Sequence, residues 1–599
     1  MNSEIRTNQL IVNINRAAIC EKYSVFQMKT SDKFFSSGAY ILDDPMLNKN
    51  VLSVLFESGK AFYVLSDINT ITAHSLKSII DKTQEHEKIS FEEKDISSLP
   101  DNVILQLMLN ALSSQKLSFL KFSNLTGHFY VYHPEWIERS KKDSTIFRIK
   151  TIEYKITSDN KLVINVRTFT SGLLRKQISF GKKKYKDYPK YILSANNTLR
   201  RKLVSDDEKE EFILRQIDNK KSEIPFLDFT DLNSFESSKM GVTANVIRSF
   251  NEKYNGYANI DFDTVNAYTS IDCKSTLKKA NDKVVLVILK DKRINIVDCI
   301  TDEYSQMFCN KVVEQFKDKY GIDANIAKRL SKDDLNIRII HNDAYYGSDI
   351  ADPHDHIPIG YAVQHITLED FSKHIKSAVT TVAHEIIIKD DLNKGKITLF
   401  DWTDMGFDKT VSFGTRAVND ETEHYYFMDI HPDGRFDIKE LSLDLFNMDT
   451  YSDLVSIFCD NNKVKGVVRF GNGEINIIED TDLFTIPEIF SIKNEIKNNK
   501  SISRGKESRD ELLSSILDIK LCREEESDYY FVGTIGSGMR SRVEKASLIR
   551  KIKGYNGSVS HFDTLLPLMN IVFVRNGQLT VYPFPFKYLN EYIIYEKRI

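Results

Sequence analysis

The stretch YAVQHITLEDFSKHIKSAVTTVAHEIIIKDD (361–391) is the most informative about the fold class, because it joins a short apolar strand at 361–366 to a long helix over 369–388. Two further strands are predicted before it, in the continuous apolar run KVVLVILKD (283–291) and in IRIIHN (337–342), with a helix between them at 303–319. Strands that alternate with helices of about 15 residues predict a largely parallel sheet with helices on its faces. We therefore expect an α/β unit around this stretch.

The pattern after residue 396 changes from alternating strands and helices to hairpins. The β runs there are separated by Pro432-Asp433-Gly434 and by Gly471-Asn472-Gly473, which are typical of tight turns. Hairpins followed by mixed helices and strands favour an RNase H-like α/β layer, which we assign to residues 396–599.

The first 235 residues are rich in short β-like runs. Residues 1–145 contain one predicted helix, near 101–114, and form an N-terminal α+β region. Residues 146–235 begin with strands rich in β-branched residues, followed by a predicted helix over 205–221 that opens on a capping box at Ser205.

The composition excludes several classes of protein. With 599 residues, the chain has room for roughly three to five domains of ~100–200 residues. Its net charge of −3 excludes a uniformly basic nucleic-acid coat but permits a basic channel. The apolar runs are far shorter than the ~20 residues of a membrane helix, and the N-terminus has no signal-peptide pattern. The six cysteines include no C-x-x-C pair. We predict a cytoplasmic protein without a membrane segment.

The most basic stretch of the chain runs from Lys182 to Lys202. It has one acid, Asp187, and is interleaved with three tyrosines. Its eight basic residues are Lys182, Lys183, Lys184, Lys186, Lys190, Arg200, Arg201 and Lys202. Cations mixed with aromatic rings suit the phosphates and bases of a nucleic acid, so we predict a nucleic-acid backbone contact here. A solvated strand edge protected by lysines explains the same composition equally well.

Four residues on this framework carry a family resemblance: Tyr345, Tyr346, Gln364 and Lys389. Gln364 follows Tyr346 by 18 positions, and Lys389 follows Gln364 by 25. In this order, over about residues 236–599, the chain resembles the MID–PIWI half of Argonaute proteins, particularly prokaryotic ones. The tail PFPFKY (583–588) also resembles the end of PIWI domains.

The resemblance implies a Rossmann-like MID region at 236–395 and a PIWI region at 396–599, preceded by an N-terminal region (1–145) and a linker or PAZ-like region (146–235). It also implies that the four residues hold the 5′ end of a short guide strand, DNA being favoured, that pairs with target DNA. A Mg²⁺ at the guide 5′ phosphate is compatible with it. His365 lies next to Gln364 and could face the phosphate. The stretch after Tyr346 lacks the family's usual basic residue, which His354 and His356 could replace.

Arg416 stands in TVSFGTRAV (410–418), where cleaving members of the family carry an acid. A guanidinium opposes metal binding by its charge, so we predict a nuclease-inactive protein that recruits a separate nuclease or helicase effector against invading plasmid or phage DNA. Arg416 could instead contact a nucleic-acid backbone, as could Arg540 and Arg542 beside GTIGSGMR (533–540).

Two alternatives remain open from the sequence. An active Mg²⁺-dependent nuclease would use a tetrad of acids, namely Asp429, Glu474, Asp480 and Asp563. A metallohydrolase would instead use the H-x-H pair of His354 and His356 in DPHDH (352–356), since imidazole and carboxylate groups are zinc ligands.

Overall fold

The structure of the protein is a computed structural model. It describes the whole chain except residues 1–2, 31–49, 59–60, 82–88, 115–120, 123–126, 179, 181–183, 194–197, 203–205, 207–210, 216–223, 268, 272–281, 343–344, 347–352, 356, 373, 420–421, 443–449, 499–518, 525–526, 532–541, 544–545, 547, 570–571, 574–577, 580–581 and 597–599.

The α-helices of the described residues follow in chain order. They are α1 Arg16–Lys22, α2 Ala73–Asp81, α3 Asp101–Asn110, α4 Leu232–Glu236, α5 Lys239–Lys253, α6 Asp282–Lys290, α7 Glu303–Tyr320, α8 Leu368–Phe371, α9 Ile375–Lys394, α10 Ser452–Asp460, α11 Ile489–Asn498, α12 Phe562–Met569 and α13 Pro585–Glu596.

The strands are numbered in the same way. Those before residue 290 are β1 Ser3–Ile14, β2 Tyr23–Thr30, β3 Val51–Ser58, β4 Ala61–Asp67, β5 Ile89–Lys94, β6 Lys121–Phe122, β7 Phe129–Tyr132, β8 Ile137–Arg139, β9 Ile146–Ile156, β10 Leu162–Ser171, β11 Tyr191–Leu193, β12 Leu199–Arg201, β13 Phe212–Leu214, β14 Leu227–Asp228, β15 Ala258–Ala267 and β16 Thr269–Ile271. Those after it are β17 Ile294–Asp298, β18 Asn325–Ala327, β19 Leu335–Ile340, β20 Val363–Thr367, β21 Val411–Asn419, β22 Thr422–Ile430, β23 Phe436–Ser442, β24 Val464–Arg469, β25 Ile475–Ile486, β26 Ile519–Glu524, β27 Ser527–Phe531, β28 Arg542–Val543, β29 Leu548–Gly554, β30 Val572–Phe573 and β31 Gln578–Leu579.

The predicted parallel sheet is present. Four strands pair in the order β18-β17-β19-β20, and all three pairs are parallel. Helix α7 leads from β17 to β18, and its start is fixed by Asp302, whose side chain accepts a hydrogen bond from the Ser305 amide. It ends at Gly321, where φ is +67° and a side chain would strain the backbone. Capping therefore sets both ends of the helix predicted at 303–319.

The prediction that KVVLVILKD (283–291) is a strand was wrong, because these residues form most of α6. Val285 and Leu289, one turn apart, are fully buried, whereas Val287 is 66% exposed. The helix therefore needs only one apolar face, and a continuous apolar run does not distinguish such a helix from a buried strand. The strand of the sheet is β17, which begins just after Arg293.

Two predicted helices also differ from the structure. The helix predicted over 369–388 is divided into α8 and α9, and α9 ends at Lys394 before Gly395 in the left-handed conformation. The helix predicted over 205–221 was wrong at its centre. Phe212 and Ile213 are fully buried in β13, which pairs with β10. Pairing with a neighbouring strand therefore outweighs the local capping signal there.

Strands within the first 271 residues belong to sheets that include strands from more than one predicted region. β8 and β9, which lie on either side of the boundary between residues 145 and 146, pair with each other in an eight-stranded sheet. β1 pairs with both β15 and β25, so the first strand of the chain lies beside strands about 250 and 470 positions away. The regions named from sequence order are therefore not separate sheets.

The C-terminal part builds the predicted hairpins. β21, β22 and β23 form an antiparallel meander, in which Gly434 takes φ +79° in the turn that follows Asp433. Its sheet has eleven strands among the described residues, and all of its pairs, including β21 with β24, are antiparallel. The protein is thus a mixed α/β chain, as the sequence predicts. No helix in the described part is long and apolar enough to cross a bilayer.

Candidate functional site

Gln364 and Lys389 are in direct contact. Gln364 is the second residue of β20, and α9 packs against this strand. The Lys389 ammonium donates hydrogen bonds to Gln364 Oε1 at 2.5 Å and to the Val363 carbonyl at 2.8 Å. The Gln364 amide nitrogen in turn donates to Glu385 Oε2 at 2.7 Å. We call Gln364, Glu385 and Lys389 the amide network.

The amide network is largely enclosed. Glu385 and Lys389 are only 6% and 8% exposed, and they lie one helical turn apart on α9. A positive and a negative charge therefore meet across one amide group inside the protein. Burial of this kind is favourable only when both charges are paired and hydrogen-bonded, which is the arrangement here. Sequence reasoning missed Glu385, although its position four residues before Lys389 indicates a shared helix face.

A second group consists of aromatic and histidine rings. We call it the ring cluster, and its members are His341, Tyr345, Tyr346, His354 and His365. His341 directly follows β19, and the Tyr345 ring stacks on it with centroids 3.6 Å apart and planes 21° apart. Tyr346 lies 5.4 Å from Tyr345, both measured between ring centroids. Tyr345 is 53% exposed, so its ring remains accessible to a ligand.

The ring cluster extends from Tyr346 to β20. The His354 ring is 6.0 Å from the Tyr346 ring and 5.3 Å from the His365 ring, both in edge-to-face geometry. His365 follows Gln364 in the strand, and successive residues of a strand point to opposite faces. Gln364 contacts α9, whereas His365 contacts His354. The predicted guide-end residues are therefore divided between two faces of β20.

A carboxylate holds the inner ring of the stack. Glu369, at the start of α8, hydrogen-bonds His341 Nδ1 and accepts from the Asn342 amide at 2.9 Å. Partial burial alone would raise the pKa of the Glu369 carboxyl, but its bonds to His341 and to backbone amides outweigh this and lower the pKa. Glu369 is thus an ionised anchor that fixes the His341 ring under Tyr345. Sequence reasoning also missed His341, although it is the next-to-last residue of the predicted strand 337–342.

The metal alternative rests partly on undescribed residues. His354 belongs to the ring cluster, whereas Asp352 and His356 lie outside the described residues. Within the described part of the chain, no group of three or more His, Cys, Asp or Glu side chains is arranged to hold a metal ion.

Three of the four carboxylates of the nuclease alternative contact different partners. Asp429 accepts a hydrogen bond from the Tyr451 hydroxyl, Glu474 bonds His561 Nε2 at 2.5 Å, and Asp480 pairs with Arg550 at 3.2 Å. Asp563 is exposed in the first turn of α12. The described structure does not gather these four residues into one metal-binding group.

Arg416 is engaged within the protein. Its guanidinium donates to the carbonyl of Phe458 at 3.1 Å and to that of Asn462 at 2.6 Å, at the end of α10. The last carbonyls of a helix have no partner within it and carry a partial negative charge. The position predicted to exclude a metal or contact a nucleic acid therefore caps a helix.

The basic stretch is partly neutralised by its surroundings. Arg200 forms a two-pronged pair with Asp206 at 2.6 and 2.8 Å, and Lys202 pairs with Glu211 at 3.1 Å. The Lys190 ammonium lies 3.4 Å above the centre of the Tyr185 ring. Lys184 and Lys186 are exposed. The stretch therefore offers less accessible charge than its composition indicates.

Three predicted backbone contacts fall outside the described residues, namely Lys182, Lys183 and Arg540. Arg542 lies in β28, which pairs with β14. Arg201 lies in β12, opposite Tyr191 in β11. These two arginines are therefore on sheet strands rather than in a loop.

Comparison with known proteins gives no assignment, since no protein-family model matches the chain and no curated protein is similar to it.

Proposed function

We propose that this protein is an Argonaute-like, guide-dependent nucleic-acid-binding protein with a MID region followed by an RNase H-like PIWI region. The observation that carries the proposal is the contact of Lys389 with Gln364 across 25 positions. These two residues, on a strand and on the helix after it, are those that the resemblance assigns to the guide 5′ end. Their contact supports a common role for the two residues.

The ring cluster lies on the face of β20 opposite the amide network, so in the proposed site it would hold the first base and not the phosphate. An unpaired terminal base would stack on the exposed face of Tyr345, while His341 supports the opposite face at 3.6 Å. Stacking of one base on an aromatic side chain contributes about 1–3 kcal/mol and tolerates any base. A preassembled stack is favourable because the ring loses little freedom when the base binds.

Lys389 is the cation that would meet the terminal phosphate, as a point charge with several donors. Because Glu385 is also present, the amide network is close to neutral, and a phosphate would add net negative charge there. A carboxylate and an amide oxygen are hard ligands that suit Mg²⁺ bound together with phosphate oxygens. The Gln364 oxygen already accepts from Lys389 and its nitrogen faces Glu385, so the Glu385 carboxylate is the ligand that would hold such an ion, and the ion would neutralise the phosphate.

Cleavage is not part of the proposed function. The Arg416 guanidinium caps α10, and three of the four candidate carboxylates contact separate partners. In the proposed role, the protein recognises invading DNA by pairing the guide with it and leaves the cutting to a recruited nuclease or helicase.

The test is to purify the protein from its native host and sequence the short nucleic acids that remain bound. We expect a population of defined length with a uniform 5′ end. Nucleic acid of random length, or none, would contradict the proposal. The loaded protein is then incubated with a labelled complementary target and Mg²⁺ or Mn²⁺, and we expect tight binding without a product. A cut at one fixed position, abolished by Asp429→Ala, would support the nuclease alternative instead.

A further inference from the structure

An open cavity of about 580 Å³ lies apart from both the amide network and the ring cluster. It is formed by one face of α5, the turn that follows at Asn255, the start of β15 and the first turn of α11. None of the residues predicted from the sequence lines it. Its volume is within the range of small-ligand sites in proteins, and it accommodates a single long side chain with room to spare.

The walls of the cavity are fixed in place. Asn251 on α5 donates through its amide to the Ile260 carbonyl at 2.9 Å, and its oxygen accepts from the Ile260 amide at 3.0 Å. This pair of hydrogen bonds ties the helix to β15. Ile247, which is 5% exposed, forms an apolar floor, and Phe490 on α11 contributes a ring that is 43% exposed.

The rim carries more negative than positive charge. Glu252 and Asp261 contribute two carboxylates, against one guanidinium from Arg248. That guanidinium already donates to Asn245 Oδ1 at 2.7 Å and lies 3.8 Å from Glu252. The exposed amide of Asn255 adds a further acceptor. An aromatic ring together with two carboxylates is the chemistry that recognises an organic cation.

We propose that this cavity is a docking site for a cationic side chain, arginine before lysine, presented by a protein partner. The guanidinium would lie against the Phe490 ring and donate to the carboxylates of Glu252 and Asp261. Arginine is favoured because its planar fork matches carboxylate geometry and stacks on aromatic faces. A nucleic acid is disfavoured, because its phosphates would meet the negative rim.

The test uses disulfide tethering, which reports weak binding at a chosen position. Asn255→Cys is incubated under partially reducing conditions with disulfide fragments that end in a guanidinium, an ammonium, a neutral amide, a sulfonate or a guanine base. The fraction of modified Cys at position 255 is measured by peptide mass spectrometry, which separates it from the native cysteines. Asn310→Cys, at an exposed position of α7, is the matched control.

We expect the guanidinium fragment to be retained at position 255 at least about fivefold over the neutral amide, with the ammonium fragment between them. The preference should be absent at position 310 and should disappear in Asn255→Cys with Glu252→Gln and Asp261→Asn. Equal retention of all fragments, or a preference that survives the charge removal, would overturn the proposal. Preferred retention of guanine would indicate a nucleobase site instead. Guide binding by Glu252→Gln with Asp261→Asn should stay unchanged, which separates this site from the proposed guide site.

Discussion

At the scale of single residues, Glu385 determines how Gln364 and Lys389 are presented. An amide can be placed in two orientations, and the partners on both sides select one of them. The Lys389 ammonium is a donor and pairs with the Gln364 oxygen, whereas the Glu385 carboxylate is an acceptor and pairs with the Gln364 nitrogen. The orientation of the Gln364 amide is therefore fixed before any ligand binds, so a phosphate at this point would be met chiefly by the Lys389 ammonium.

Replacement of Lys389 by Met should weaken the binding of a 5′-phosphorylated single strand by about 1–3 kcal/mol, because a charged donor to the phosphate is lost. The dependence of the affinity on salt should also decrease by about one released counterion. Both quantities are measured by titration of labelled strand at several salt concentrations.

Lys253→Met is the matched control, since Lys253 is another partly buried lysine that donates to a carbonyl, that of Ala111 at 2.8 Å. Burial lowers its pKa to about 8, and it lies outside the proposed guide site. If both variants bind the strand as the unmodified protein does, Lys389 does not contact the phosphate.

Replacement of Tyr345 by Ala should cost about 1–3 kcal/mol of affinity for any single strand, because one stacked base is lost, and Tyr345→Phe should retain the affinity. Tyr304→Ala is the control, since Tyr304 is a similarly exposed tyrosine, 57% against 53%, on α7. Equilibrium binding at fixed salt measures the effect. An equal loss with Tyr304→Ala would mean that Tyr345 has no specific role.

At the scale of elements, Arg416 on β21 stabilises the end of α10. Arg416→Ala should lower the free energy of unfolding by about 1–3 kcal/mol, because two carbonyls lose a charged donor. Chemical denaturation measures this change. Arg435→Ala is the control, since Arg435 is 70% exposed in its pair with Asp433 and should change stability by less than about 1 kcal/mol. Unchanged stability with weakened DNA binding would instead assign Arg416 to a nucleic-acid contact.

At the scale of the whole molecule, Asp391 connects distant parts of the chain. It is fully buried at the end of α9, where it accepts from both the amide and the hydroxyl of Thr398, and from the Tyr588 hydroxyl on α13 at 2.6 Å. Tyr588 belongs to the tail PFPFKY (583–588), which the resemblance assigns to the end of PIWI. The carboxyl therefore joins the helix of the amide network to the C-terminal helix.

Burial raises the pKa of the Asp391 carboxyl from 3.8 to about 6, although its hydrogen bonds act to lower it. The folded protein therefore holds this proton more tightly than the unfolded chain. The stabilisation that this bound proton gives the folded state is fully present below about pH 4 and is lost as pH rises through about 6. The free energy of unfolding should therefore fall by about 3 kcal/mol over this interval.

Asp391→Asn should remove this part of the pH dependence, because the amide does not titrate. Denaturant unfolding at several pH values between about 4 and 7 measures it. Asp404→Asn, at an exposed position, should retain the dependence of the unmodified protein. If the two variants follow the same curve, Asp391 does not titrate in this range.

Elements whose signals are local could be predicted from the amino-acid sequence. Helical spacing predicted α7, turn residues predicted the β22–β23 hairpin, and the strands predicted at 337–342 and 361–366 correspond to β19 and β20. The contact of Gln364 with Lys389 also agrees with the strand-then-helix order, because a helix that follows a parallel strand packs back onto it.

Features that depend on partners distant in the sequence could not be predicted and are seen only in the folded chain. Residues 283–291 lie mostly in a helix, because burial of one apolar face stabilises the helix. Phe212–Leu214 form a strand because they pair with β10. Arg416 became a helix cap through carbonyls more than 40 positions away. Gln364 and His365 are neighbours in sequence, yet strand geometry turns them to opposite faces, so their partners depend on what packs against each side. Such choices are set by packing and hydrogen bonding between segments, which local patterns do not contain.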